Sequence, residues 1–475
     1  MGDNFSKTGK REAQTVYPIS LGCPKNLVDT EIMLGRLHAA GWQVVSDPEA
    51  AKILLVNTCA FITPAVKEAV DTILELAHYK AEAPDKRLVV TGCLVSRYGS
   101  ELLPPLPEVD LFVGVNDFPR LAELLVGLDQ EGGPKIQALG PRFDYLGPQP
   151  RFPATPPHLA YLKIAEGCSH RCTYCTIPAI RGPYRSRPLE TLLTEARHLV
   201  ATGVKELNLV AQDTTAYGRD RGGKPGLVEL LRELTALPFT WIRLLYTHPA
   251  HITWELIEAL ATLPRLAPYL EVPIQHGHDH LLQRMGRRYS QRHLLGLFRR
   301  LREALPGIAL RTTVMVGFPG ETESHFEALQ ALVEEVRFDY LGIFLYEPEE
   351  GTPAARYPNQ VGRRLARERA RRLKALQSRI VKEKHRALVG TVQPVLVEGV
   401  SHESEYLLVG RLPTQAPDID GWVYLTDGQG RVGEVQPVRL TRALPHDLVG
   451  VIESCPQTLE PQLPGRFPVS RNGKN

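Results

Sequence analysis

The sequence alternates short apolar runs with amphipathic helical stretches, and this alternation occurs in two blocks. In residues 16–128 the runs are "TVYPISL", "AKILLVN" and "KRLVVTG"; in residues 159–346 they are "YLKIA", "ELNLVAQ", "WIRLLY", "YLEVPI", "ALRTTVMV" and "YLGIFLY". Apolar runs of this length between helices predict parallel strands, because each helix returns the chain to the start of the next strand. The expected fold class is α/β: an N-terminal parallel sheet domain, then a barrel of six strand–helix units, closed or partly open.

The remaining segments set the expected domain boundaries. Residues 141–157 contain six prolines, which exclude regular structure and indicate a linker or an extended crossing segment. After residue 389, short alternating runs with Gly and Asp turns predict a small antiparallel β-barrel. The expected units are an N-terminal domain 16–130, the linker 141–157, a central domain 158–388, the small barrel 389–454 and a disordered tail 455–475.

Composition limits the cellular location of such a protein. The apolar runs are too short and interrupted to cross a bilayer, and the polar N-terminus lacks the apolar core of a signal peptide. We therefore expect a cytoplasmic protein without membrane contact, whose seven cysteines are reduced thiols, nucleophiles or ligands. The net charge of +3 is mild, whereas proteins that bind nucleic-acid phosphates usually carry a stronger positive charge.

Charge is nevertheless unevenly distributed along the chain. Residues 363–388 carry eleven Lys/Arg and two acidic residues, and they predict a helix about 39 Å long. This helix is either a solvated last helix of the barrel or a docking surface for an acidic partner such as RNA phosphate. Residues 391–454 are acidic instead, with four Arg, no Lys and nine Asp/Glu, a net charge of −5.

Three cysteines follow the three N-terminal strands. Cys23, Cys59 and Cys93 each come just after an apolar run, at the turn into the next helix. In an open parallel sheet all such turns lie at one edge, where ligands bind. Buried thiols that only fill space are the alternative, but three cysteines at one topological position favour a shared site.

Three more cysteines lie close together in "EGCSHRCTYC", directly after the first barrel strand: Cys168, Cys172 and Cys175. Three thiolates on one loop can bind zinc or an iron–sulfur cluster. Structural zinc needs four ligands, and there is no obvious fourth unless His170 turns inward; His170 is better explained as solvent-facing or as a loop hydrogen-bonder. A 4Fe–4S cluster takes one thiolate per iron, so three thiolates leave one iron open for a small molecule. Cys455 has no partner and is assigned no role.

This CxxxCxxC loop resembles that of the radical S-adenosylmethionine (SAM) enzymes. The resemblance implies that the open iron binds SAM, whose reductive cleavage gives methionine and a hydrogen-abstracting 5′-deoxyadenosyl radical. It also implies SAM contacts at Gly317, Gly320 and Glu321 in "VMVGFPGETESHF", and at Gln275 in "VPIQHG". Glu206 in "GVKELNLV" is a looser match, either a contact near the SAM amino group or a surface residue.

Other charged residues flank the cluster loop. Lys163, Arg181 and Arg185 could bind the SAM carboxylate or the target, or could be ordinary surface charges. No general base is identified, because hydrogen abstraction by a radical does not require one.

The whole arrangement, over residues 16–454, resembles the methylthiotransferases, which combine a three-cysteine N-terminal domain, a radical SAM core and a TRAM domain. The resemblance implies a second 4Fe–4S cluster, held by Cys23, Cys59 and Cys93, that carries the sulfur to be inserted. It implies two uses of SAM, as methyl donor and as radical source, and a C–S–CH3 product. It also implies an external electron donor and a sulfur donor, and we expect a monomer.

Two branches of that family are possible. The MiaB-like branch modifies isopentenyl-adenosine beside the tRNA anticodon; the RimO-like branch modifies the β-carbon of an aspartate in small-subunit ribosomal protein twelve. "VAQDTTAYG", "EVPIQHGHDHLLQRMGRRYS" and "QAPDIDGWVYL" are similar to the RimO-like branch. The acidic TRAM segment agrees, because it suits a basic ribosomal protein and would repel tRNA. A non-catalytic iron–sulfur RNA-binding scaffold is the alternative from a different class.

Overall fold

The structure, a computed structural model, describes residues 14–128, 135–137, 147 and 149–453. The predicted disordered tail, Cys455 and most of the first half of the Pro-rich linker lie outside these residues. Residues 149–157 form neither helix nor strand and cross the helix Pro24–Ala39, where Phe152 N donates to Glu31 O at 2.9 Å. No helix in the described part of the chain is both long and apolar enough to span a membrane.

The N-terminal domain is a six-stranded parallel sheet with the strand order β2-β1-β3-β4-β5-β6. Its elements are β1 (Thr15–Ser20), α1 (Pro24–Ala39), β2 (Gln43–Val44), β3 (Ile53–Thr58), α2 (Thr63–Glu82), β4 (Arg87–Gly92), α3 (Cys93–Tyr98), β5 (Leu111–Val113), α4 (Leu121–Gly127) and β6 (Lys135–Gln137). In the register, Ser20 pairs with Asn57 and Thr58 pairs with Gly92, so β1, β3 and β4 end at one edge of the sheet.

The central domain is a second parallel sheet of six strands, with β7 and β14 as its two edges. The order β14-β13-β12-β11-β10-β7 makes it a partly open barrel. Its elements are β7 (Leu159–Lys163), β8 (Ala165–Glu166), α5 (Ile177–Arg181), β9 (Arg185–Ser186), α6 (Leu189–Ala201), β10 (Glu206–Val210), α7 (Leu227–Thr235), β11 (Trp241–Leu244), α8 (Trp254–Thr262), β12 (Leu266–Glu271), α9 (Asp279–Arg284), α10 (Gln291–Ala304), β13 (Ala309–Val316), α11 (Glu323–Val336), β14 (Tyr340–Leu345) and the basic helix α12 (Arg363–Leu388). The short β8 and β9 pair with each other outside this sheet.

The C-terminal domain is a closed five-stranded barrel. Its strands are β15 (Val392–Ser401), β16 (Ser404–Arg411), β17 (Val423–Leu425), β18 (Val435–Ala443) and β19 (Leu448–Ile452). Four of its strand pairs are antiparallel as predicted, but β17 and β19 are parallel. The α/β fold class and the small C-terminal barrel predicted from the sequence are confirmed.

Neighbouring side chains of the barrel strands face two different cores. On β7, Ala160 and Leu162 join a core shared with the surrounding helices. Tyr161, between them, joins a second core that also contains Val28 of α1 and Leu396 of β15. Because successive strand residues point to opposite faces, helices cover one face of the barrel sheet, and the N-terminal and C-terminal domains cover the other.

Candidate cofactor site

The three N-terminal cysteines meet at one edge of their sheet. Cys23 and Cys93 stand at the start of α1 and α3, and Cys59 directly follows β3. Gly22 has φ +91°, and a side chain there would bring its Cβ within 2.6 Å of Cys59 Cβ. The turns before Cys23 and around Cys59 therefore touch, as the sequence predicted for a shared site.

Two asparagines fix these turns. Asn26 Nδ2 donates to the backbone oxygens of Leu21 and Thr58, both at 2.9 Å, and so joins the ends of β1 and β3. Asn57 Nδ2 donates to the backbone oxygen of Asn26 at 2.8 Å. Since these amides are buried and their partners are backbone groups, they hold the cysteine turns in one geometry.

Two cations lie beside the N-terminal cysteines. Arg181 Nη2 is 3.4 Å from Cys93 Sγ and acts to lower the pKa of this thiol. Burial has the larger effect and raises the pKa of Cys93 to about 11. Burial also acts to raise the pKa of Cys23, but Lys25 and Arg181 outweigh it, so the pKa of this thiol is lowered. Nearby cations stabilise the thiolate relative to the thiol. The thiolate is the form that binds metals.

The second cysteine set lies on the loop after β7 and β8, as predicted. Thr173 N donates to Met285 O at 3.1 Å and Thr173 Oγ1 donates to Arg284 O at 2.8 Å, which fixes the loop to the end of α9. Burial raises the pKa of Cys168 to about 11 and that of Cys175 to about 12. All six cysteines described are free thiols.

The two cysteine sets face each other across the contact between the N-terminal and central domains. Thr176, next to Cys175, donates its hydroxyl to Phe61 O, two residues after Cys59, at 3.3 Å. Arg181, on the short helix α5 after the second set, reaches Cys93 of the first set. Both sets therefore lie on the same side of the molecule, at one seam.

Buried ion pairs close this seam. Arg181 and Lys163 are 4% and 1% exposed, and both bind Asp29 of α1 and Glu166. The prediction that left these two residues as cofactor ligands or surface charges is therefore wrong, because their charges are neutralised between the domains. Arg185 is half-buried in β9.

The other predicted contacts lie at the same end of the barrel, around the carboxyl end of β13. Gln275 has φ +65° and forms a parallel bridge with Val314. Gly317 has φ +80°, and a Cβ there would lie 2.6 Å from Ala366 Cβ of α12; Gly320 has φ +84°. Only glycine fits at residue 317, because the loop passes close to α12 with a positive φ.

Glu321 organises this glycine loop. Its Oε2 accepts from Gly317 N at 2.5 Å and from Phe318 N at 3.1 Å, and its Oε1 pairs with Arg369 of α12 at 3.0 Å. Burial raises the pKa of Glu321 to about 7 despite these partners. The carboxylate is therefore occupied in shaping the loop.

Glu206 does not belong to this end of the barrel, and its predicted SAM contact is wrong. It is the first residue of β10, so it lies at the amino end of the strand, and it is fully buried. Arg243 Nε and Arg411 Nη2 bind its carboxylate at 3.0 and 2.6 Å. Burial would raise the pKa of Glu206, but the two guanidinium groups outweigh it and lower the pKa to about 2.

Sequence reasoning missed the residues that brace the site. Asn26 and Asp29 follow Cys23 on the first turns of α1, and Glu166 precedes Cys168 by two residues. Their nearness in sequence to the cysteines was the only available signal. Polar residues are also common on the first turn of an exposed helix, so the sequence could not identify them.

Comparison with known proteins agrees with this architecture. Residues 15–114 match the family described as "Uncharacterized protein family UPF0004", residues 162–333 the radical SAM superfamily, and residues 389–452 the TRAM domain. The protein named ribosomal protein uS12 methylthiotransferase RimO in Geobacter sulfurreducens is 49% identical over 444 residues, 93% of this chain and 99% of that protein. The protein of that name in Geotalea uraniireducens is 50% identical, over 92% and 98% of the two chains.

The chain belongs to the RimO family. Of the two methylthiotransferase branches considered from the sequence, the RimO-like one is confirmed. Among solved structures, the radical S-adenosylmethionine methyltransferase TsrM from Kitasatospora setae is similar, with a TM-score of 0.55 over 80% of this chain and 78% of that chain. At 17% identity this likeness concerns the fold alone.

Proposed function

We propose that this chain is a radical SAM methylthiotransferase that replaces a hydrogen on the β-carbon of an aspartate in ribosomal protein uS12 with a methylthio group. Relatives at 46–50% identity over nearly their whole length carry this activity in their names. The observation that carries the proposal is the seam at which two sets of three cysteines face each other. Sulfur insertion at an unactivated carbon needs the radical source and the sulfur carrier at one place.

The cysteines fit two 4Fe–4S clusters. In the proposal, Cys168, Cys172 and Cys175 hold the SAM-binding cluster, and the N-terminal set (Cys23, Cys59 and Cys93) holds the auxiliary one. Among the residues described, neither set belongs to a compact ligand group of the kind that a single metal ion needs. When bound, these groups and SAM supply reductive cleavage, hydrogen abstraction, sulfur and the methyl group.

The protein's own residues position these groups. Gln275, Gly317 and Gly320 contact SAM in the proposal, because their backbones line the loop ends on the cysteine side of the barrel. Glu321 is a positioning residue: its carboxylate is taken up by two backbone N–H groups and Arg369, so it acts on SAM through the loop. Arg181, Asp29 and Glu166 hold together the two domains that carry the cysteine sets.

The TRAM domain adds a clue about the substrate. Some of its acidic residues are internal: Glu398 binds Arg411, and Asp420 binds Arg311 of β13. Others, including Glu403 and Glu405, remain exposed. These exposed acids suit a basic ribosomal protein through opposite charge.

Further partners follow from the chemistry. Reductive cleavage consumes an electron and each product takes a sulfur atom, so the proposal includes an external electron donor and a sulfur donor. It also includes a monomeric enzyme working in the cytoplasm, where thiols stay reduced.

The proposal is tested on uS12 itself. In a strain lacking this enzyme, uS12 should lose about 46 mass units at one aspartate, the mass of exchanging H for SCH3. The wild-type gene should restore this mass, and the Cys172→Ala variant should not. Unchanged uS12 together with an altered tRNA nucleoside would instead support the MiaB-like activity. Release of no 5′-deoxyadenosine from reduced enzyme and SAM would support the scaffold alternative.

A further inference from the structure

Three histidines and one aspartate converge beside the cysteine loop of the barrel. His170 lies on that loop after β7, Asp213 follows β10, and His248 and His251 follow β11. The four side chains thus come from the carboxyl ends of three neighbouring strands. None of them has a role in the proposed methylthiotransfer.

The four side chains form a compact group. Asp213 Oδ2 lies 2.7 Å from His170 Nε2 and 2.8 Å from His251 Nδ1. The rings of His170 and His248 stack at a centroid distance of 4.2 Å, and those of His248 and His251 lie 5.0 Å apart. One ligand atom from each residue lies within 4.8 Å of all the others.

This spacing is close to that of a tetrahedral metal site. Zinc binds nitrogen and oxygen at about 2.0–2.1 Å, which puts neighbouring ligand atoms about 3.3 Å apart. The two Asp213–histidine distances would open by roughly half an ångström to admit the ion, which side-chain rotation can provide. His248 and Asp213 are buried, 7% and 1% exposed, so an ion there would be shielded from water.

A metal binds neutral imidazoles and an ionised carboxylate, so its binding here would displace the hydrogen bonds that join His170 and His251 to Asp213. Arg287 is the nearby cation, and it donates to Tyr174 Oη at 2.7 and 3.2 Å.

We propose that His170, Asp213, His248 and His251 bind one zinc ion. Three imidazoles and a carboxylate are typical zinc ligands, and four protein ligands make a closed, structural site with no position for substrate. The ion would tie the cysteine loop to the ends of β10 and β11. The inference stands on these four residues alone and does not depend on the methylthiotransferase activity.

The test uses the holoenzyme with both iron–sulfur clusters in place, so that the cluster cysteines cannot bind zinc. The enzyme is incubated with zinc sulfate and desalted, and zinc and iron are measured by mass spectrometry of the elements. We expect about one zinc per chain in the wild type. His251→Ala and Asp213→Asn should each lower the zinc content about tenfold and leave the iron content unchanged.

A second histidine group provides the matched control. The rings of His278 and His280 lie 4.3 and 5.6 Å from that of His325, but among the described residues these three histidines are not part of a compact ligand group. His280→Ala should therefore retain about one zinc per chain.

Two results would overturn the proposal. One is less than about a tenth of a zinc per chain in the wild-type holoenzyme, in which case the four residues are only a hydrogen-bonded network. The other is full zinc content in both His251→Ala and Asp213→Asn. Should these variants fail to fold by circular dichroism, crystals of the wild type decide: an anomalous peak at the zinc absorption edge between the four side chains supports the site, and its absence there refutes it.

Discussion

The two ends of the barrel carry charge in opposite ways. At the carboxyl end, burial raises the pKa of Cys168, Cys175 and Glu321, so the uncharged forms of these groups are favoured. At the amino end, Glu206 lies between Arg243 and Arg411 with both carboxylate oxygens paired. Burial therefore dominates the pKa of these carboxyl-end groups, whereas at the amino end two guanidinium groups outweigh burial and keep Glu206 ionised.

The largest effect is expected at the carboxyl end. Cys172→Ala should abolish 5′-deoxyadenosine release and methylthiotransfer, and lower the iron content from about eight to about four per chain. Iron analysis and chromatography of the SAM products measure this. Cys59→Ala is the matched variant: it should also lose about four irons but still release 5′-deoxyadenosine. SAM cleavage by Cys172→Ala would contradict the assignment of the two cysteine sets.

The amino end should respond in stability instead. Arg411→Met removes a cation that Glu206 and Glu398 share, and breaking such a buried pair typically costs about 3–5 kcal/mol. Denaturant unfolding measures the loss, and the iron content should stay unchanged. Arg431→Met is the control: this TRAM arginine is exposed, so its removal should cost less than about 0.5 kcal/mol. Equal effects of the two variants would remove the contrast between the ends.

The pH dependence of stability should also distinguish the amino end of the barrel from the carboxyl end. The pKa of Glu206 is lowered to about 2 from 4.5, so its ionised form is favoured by folding. The stability it contributes is fully present above pH 4.5 and is lost as the pH falls toward 2. Unfolding curves of the wild type should show this loss, and Glu206→Gln should show a flatter dependence in the same range. A wild-type stability that is independent of pH there would argue against the buried pair.

The pKa of Glu321 is shifted in the opposite direction to that of Glu206. The Glu321 pKa is raised to about 7 from 4.5, so folding favours the protonated acid, and stability from this group falls as pH rises from 4.5 to 7.

The ionised form of Glu321 accepts hydrogen bonds more strongly from Gly317 N and Phe318 N. SAM should accordingly bind the cluster-loaded enzyme severalfold more tightly at pH 8 than at pH 6. Glu321→Gln should lose this dependence in equilibrium binding; a variant with an unaltered pH profile would exclude the role.

The smallest effect concerns the seam between the cysteine sets. Thr176→Val removes one hydrogen bond to Phe61 O and preserves the side-chain shape. It should cost about 1 kcal/mol in the free energy of unfolding, with both clusters retained. A loss of iron from this variant would mean that the seam, beyond holding the domains, is needed for cluster binding.

Much of this contrast could be predicted from the sequence, but not all of it. Three cysteines were identified because each follows an apolar run, and the other three because they lie close together in one loop; both signals are local properties of the chain. Glu206 was misplaced because its partner Arg411 is 205 residues away. Lys163 and Arg181 were misjudged for the same reason, since Asp29 lies 134 and 152 residues from them. The parallel pairing of β17 with β19 depends on barrel closure, which no local pattern records.

The core that Tyr161, Val28 and Leu396 share has a practical consequence for dissecting the protein. A truncated chain ending near residue 388 would expose apolar side chains from β7 to β13 to water and would leave Glu206 paired with Arg243 but without Arg411. The TRAM barrel thus covers one face of the central domain. A TRAM barrel from another protein could replace it only if the face that packs on the central domain matched, and if the linker were compatible.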